Sequence, residues 1–159
     1  MSSKRVISVK SAADVAAASV SLLGSIPTES VVLLPVDSDA PLVRVDAPSG
    51  EGEAGEVAAA LRAAAELSVG APVYIVAAFC GREAAERAFV ACESVETARV
   101  ALCARVESLR ARLRVTAGVY GEPEQLDLMT HPLCREAILS GALTMASHTE
   151  VDQLFTAAG

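Results

Sequence analysis

The run Ala71–Cys80, APVYIVAAFC, constrains this chain more than any other stretch. It is continuously apolar, of strand length, and held between Gly70 and Gly81. A strand that carries apolar side chains on both faces has to be covered on both faces. The rest of the chain must therefore supply helices above and below a sheet.

Helical spacing supplies them. Ser11 begins SAAD, an N-cap with an acid three residues on, and Val15, Ala18 and Leu22 recur on one face up to Gly24. This predicts a helix over 12–23. Strands are expected at Val31–Asp37 and Leu42–Asp46, joined by the turn-forming SDAP, with Pro35 marking an edge or a bulge. APSGEGEAG reads as a polar loop, Glu56–Val69 as a helix. Beyond the central run, 81–94 and 95–112 read as helix, the second because Val95, Ala98, Leu102, Val106 and Leu109 keep 3-4-4-3 spacing. Leu113–Tyr120 reads as a strand, and 131–140 and 148–157 as short helices. Strands alternating with helices imply right-handed parallel crossovers. The expected fold is a three-layer α/β domain spanning 1–159. Its sheet is mixed but mainly parallel, with an antiparallel edge hairpin and helices on both faces.

Aromatic residues make up 3 % of the chain and Trp is absent, so the core has to be built from Ala, Val and Leu. Such residues fill space only where helix and sheet approach closely. Mean hydropathy is +0.42, although no apolar run approaches the roughly 18 residues of a membrane span. The apolar excess means either a core large for the chain length or apolar surface buried between subunits; close-packing Ala-rich helices suit the second, and a homo-oligomer is expected. MSSKRVISVK has a basic start but no apolar core of signal-peptide type, so a cytoplasmic protein with no membrane association is expected. A net charge of −7 argues against general nucleic-acid binding.

Catalytic motifs are missing. There is no GxxxxGK[ST], no GxGxxG between strand and helix, and no GxSxG. No cofactor and no metal site is expected. The four cysteines, Cys80, Cys92, Cys103 and Cys134, form no CxxC pair and read as buried thiols. His131 and Cys134, three apart, are too few ligands for zinc. Cys80 stands out, because it ends the central strand just ahead of a helix. Ligands gather at the carboxyl ends of strands, and a helix N-terminus can activate a thiol. Asp37, Asp39 and Asp46 cluster on the hairpin, where they either cap turns or hold a hard cation. Arg99, Arg105, Arg110, Arg112 and Arg114 concentrate in one segment, with Glu96 and Glu107 among them. They form either a solvated helix face or a site for an acidic protein surface, a second subunit included.

The residues Leu22, Leu23, Gly24, Pro27, Glu29, Ser30 and Val31, followed by VRVDAP, an Ala-rich helix and PVYIVAAF, resemble the actinobacterial domain-of-unknown-function family 4192. The C-terminal HPLCREAILSGALTMASHTEVDQLF is similar to that family's ending. Where the family carries a Trp- and Tyr-containing segment, this chain has GVYGEPEQL. The resemblance implies an actinobacterial or actinophage source and brings no catalytic residues with it. The expectation is a non-enzymatic interaction module that self-associates or meets a host protein through 95–112 and the C-terminal helices. The alternative is a small enzyme or small-molecule binder with Cys80, Asp37 and Asp46 at the carboxyl edge of the sheet.

Overall fold

A computed structural model of the chain describes residues 9, 11–36 and 40–134. Its elements are α1 (Ala12–Leu23), β1 (Ser30–Val36), β2 (Val43–Asp46), α2 (Glu51–Glu66), β3 (Val73–Phe79), α3 (Arg82–Glu93), β4 (Arg99–Glu107), β5 (Arg110–Thr116), β6 (Val119–Tyr120) and β7 (Glu124–Gln125). A helical turn starts at Pro132 and reaches the last described residue, Cys134. The expected helix at 148–157 and most of that at 131–140 lie outside the described residues.

The fold is mixed α/β around a seven-stranded sheet of order β2-β1-β3-β4-β5-β6, with β7 beside β5. The sheet is mostly antiparallel, which corrects the expected mainly parallel one. Only β3 and β4 are parallel neighbours. The crossovers themselves are present: β2, β3 and β4 run the same way, joined through α2 and α3. But β1 inserts antiparallel between β2 and β3, and β5 returns from β4 as a hairpin. The hairpin β1–β2 does form the sheet edge. Pro35 stands past its last pair, Leu33↔Val43, where β1 has a neighbour on one side only.

Alternation along β1 and β3 divides the core. Val31, Leu33, Tyr74 and Val76 pack under α2 and α3 through Val57, Leu61, Ala85 and Phe89. Val32, Leu34, Ile75 and Ala77 pack under α1. The Ser11 hydroxyl accepts the Asp14 N–H at 3.1 Å, and Gly24, at φ 73°, ends the helix by donating to Val20. The sequence between is apolar all round, AADVAAASVSLL, and Val15 to Ser21 are buried without a break. A run of seven buried residues spans every side of a helix. Leu126, Leu133 and Cys134 join the sheet in covering it.

The expected helix over 95–112 is absent. Its residues form β4, a two-residue turn and the start of β5. Ala, Leu and Arg favour helix in isolation. Here Cys103 packs on the α2–α3 side while Ala104, Val106 and Ala111 pack on the α1 side. Coverage on both faces erases the period-two signal, and the burial outweighs the propensity. The turn carries no Asn-Gly either. Ser108 and Leu109 both take left-handed backbone, φ 52° and 60°, as a tight hairpin turn requires. α2 also begins earlier than expected: EGEAG, from Glu51, is its first turn and a half, with Glu53 accepting the Ser49 N–H at 2.8 Å.

Two outcomes follow. Ala16→Leu, on the all-round-buried helix, lowers stability by about 1–3 kcal/mol through overpacking, while Ala63→Leu on the exposed face of α2 changes little; urea unfolding checks both. Ser108→Asn relieves left-handed strain and raises stability by about 0.5–1 kcal/mol, read as an increase in Tm.

Candidate functional site

The shared direction of β2, β3 and β4 brings their carboxyl ends to one end of the sheet, together with the starts of α2 and α3. Ser30 faces Asp46 on one side and Phe79 on the other. Asp46 and Cys80 therefore lie at the same end, with β1 between them. Asp46 is exposed. Asp37 and Asp39 lie outside the described residues. Ser30 itself is a corner residue: its hydroxyl donates to Thr28 at 2.8 Å and accepts from Arg44 at 3.1 Å.

Cys80 is at the strand end the sequence predicts, directly ahead of α3, but it is buried. Burial first, and Glu29 next, push its thiol up to about 11. The start of α3 does not reverse that. At neutral pH only about one molecule in ten thousand carries the thiolate at this pKa, so Cys80 is poorly suited to act as a nucleophile. Cys92, Cys103 and Cys134 are buried too, and burial raises them to about 12, 12 and 11.

The arginines are redistributed by the strands. Arg99 is exposed at the far end of β4. Arg105, Arg110 and Arg112 gather at the carboxyl end, with Arg105 directly opposite Arg112 and Glu107 opposite Arg110. Ala104, Val106 and Ala111 fill the α1 face, so the arginines project to the other face, beside α3. There Tyr120 sits between two guanidiniums, 5.1 Å from Arg105 and 5.9 Å from Arg82. The Arg105 side chain is only 14 % exposed and meets Glu107 at 3.4 Å. Sequence spacing did not single out Arg82 or Tyr120; the first is the residue after Gly81 and the second closes a short strand, and only the curl of β5–β6 brings them together.

That curl is held by α3. Arg114 is 7 % exposed and pairs with Glu86 at 2.8 Å and Glu93 at 2.6 Å, its guanidinium 5.5 Å above the Phe89 ring. Glu86 also accepts the Gly118 N–H, and Arg82 donates to the Gly118 carbonyl. Gly118 is at φ 73°, as this tight turn requires. The pairing of β5 with β4 covers Ala104–Glu107 only, and from Arg114 onward β5 pairs with β6 instead.

The remaining candidates are structural. His131 Nε2 lies 2.9 Å from Asp14, and Cys134 approaches the Ala17 carbonyl, so both tie the C-terminal turn to α1. No group of three or more His, Cys, Asp or Glu is placed to hold a metal among the described residues. No helix among them is long and apolar enough to cross a membrane. An open groove of about 900 Å³ lies between α2 and α3, lined by Ala54, Gly55, Ala58, Arg82, Glu86 and Val90 among others. No family model, no curated protein and no solved structure matches this chain.

The thiols give an alkaline signature. Each keeps its proton in the native state to about 11 or above, whereas an ordinary thiol releases it near 9.0. Between these values the native state binds more protons than the unfolded chain, so stability falls as pH rises above about 9. Chemical denaturation from pH 7 to 10.5 checks this. A thiol reagent at pH 7.5 finds no fast-reacting cysteine in the native protein and four after unfolding.

Proposed function

We propose that this chain is a non-enzymatic interaction module that pairs with a second copy of itself along the open edge of β4. One observation carries the proposal. Arg99–Cys103 has β3 on one side and, among the described residues, no strand on the other. Such an edge presents unpaired N–H and C=O groups and is a template for another strand. Apolar side chains border it: Leu102 is 37 % exposed, Val115 70 % and Val119 50 %.

A second copy fits this edge. An antiparallel, two-fold pairing centred on Ala101 sets Arg99 against Cys103 of the second copy, so no arginine opposes another. The apolar excess of the sequence supports the same reading, as does the burial of Cys80, which weakens the enzymatic alternative. A cytoplasmic setting and the likeness to family 4192, carried by Leu22–Val31, belong to the proposal as well.

Size-exclusion chromatography with light scattering tests it. The expected mass at micromolar concentration is twice the 16.3 kDa of the chain, and Leu102→Lys brings it to the single-chain value with an unchanged circular dichroism spectrum. A wild-type monomer, or a Leu102→Lys variant that stays dimeric, contradicts the proposal.

A further inference from the structure

We infer that the face of β4–β5 beside α3 is an oxyanion site that takes a phosphate group, through Arg82, Arg105, Arg112 and Tyr120. Like charges directly opposite one another on neighbouring strands repel, yet Arg105 and Arg112 face each other and the first is largely buried. Arg114, two residues on, shows how this protein satisfies a buried guanidinium, with two carboxylates. Nothing comparable serves the opposed pair. Glu107 meets Arg105 from one side, and Arg110 and Arg112 have no ion pair among the described residues.

Two further atoms point the same way. The Arg105 Nε and the Tyr120 hydroxyl are both shielded from solvent and have no hydrogen-bond partner. Buried donors are ordinarily satisfied, and leaving them unpaired is unfavourable. Both belong to the same stack, in which Arg82 and Arg105 flank the Tyr120 ring. The donors come from α3, β4, β5 and β6, hence from several directions. A planar carboxylate is satisfied by one guanidinium fork, whereas a tetrahedral dianion offers acceptors to several. Carboxylates share this face, with Glu107 beside Gly81 at the start of α3 and Glu86 at the Gly118 turn, so the opposed arginines and the two unpartnered donors carry the inference.

Titration calorimetry of the full chain with inorganic phosphate, at fixed ionic strength against chloride, tests the site; glycerol 3-phosphate in a second arm separates free phosphate from a phosphate monoester. The expected result is saturable binding that weakens at least tenfold in Arg112→Gln and in Arg82→Gln, and is unchanged in Arg44→Gln on β2, the opposite edge of the sheet. Tighter binding of the monoester assigns the site to a phosphorylated compound, and equal binding assigns it to phosphate itself. Arg112→Gln is also expected to raise Tm in phosphate-free buffer, by relieving the opposed charges, and to lose the rise that phosphate gives the wild type. Absence of phosphate binding overturns the inference, as does equal weakening by Arg44→Gln and Arg112→Gln.

Discussion

The structure depends on close approach between alanine-built helices and a sheet of Val, Leu and Ala. Tyr74 and Phe89 fill the α2–α3 side, and small side chains fill most of the remaining core, so each layer has to sit near its neighbour. α1 is the clearest case. Its Ala16, Ala17 and Val20 are fully buried, and the C-terminal turn closes over its back through Leu133 and Cys134. A helix enclosed in this way is a core element. The ties that hold its cover, His131 to Asp14 and the Glu124 carboxylate to the Ala13 N–H, matter for that reason.

A second constraint shapes the functional end. Arg114 cannot lie between Phe89 and Cys103 without carboxylates, and Glu86 and Glu93 of α3 supply them. Glu86 also accepts the Gly118 N–H and so ties the β5–β6 turn to α3. Tyr120 of that hairpin lies against Arg82 and Arg105. β5 pairs with β4 only over Ala104–Glu107, so among the described residues Arg99–Cys103 has β3 as its one strand neighbour. Removing Glu86 leaves the largely buried Arg114 guanidinium with the half-exposed Glu93 alone, which is destabilising.

Much of this was legible in the sequence, for identifiable reasons. Gly24 ended α1, the apolar run at 73–79 formed β3, and the β1–β2 hairpin took the sheet edge. The end of the sheet that gathers Cys80 and Asp46 followed from strands alternating with helices. What stayed hidden was non-local. Nothing near Ser30 announces that β1 inserts between β2 and β3, because both crossovers keep their ordinary sense around it. β4 reads as helix because Cys103–Val106 are covered on both faces, which blurs the alternation, and because its residues are good helix formers. Its turn, Ser108–Leu109, adopts left-handed backbone without the residues that usually signal it. The arginines were visible as a cluster, but strand register, not helical spacing, decides which of them meet.

The proposed pairing along the first half of β4 is measured most directly by amide hydrogen exchange at Val100–Leu102, followed at two protein concentrations; the Arg99 N–H already donates to Pro72 at 2.9 Å. Pairing predicts that the outward amides of Val100–Leu102 exchange more slowly at the higher concentration, while those of Ala104–Glu107 are unaffected. Exchange at Val100–Leu102 that is fast and independent of concentration would contradict it.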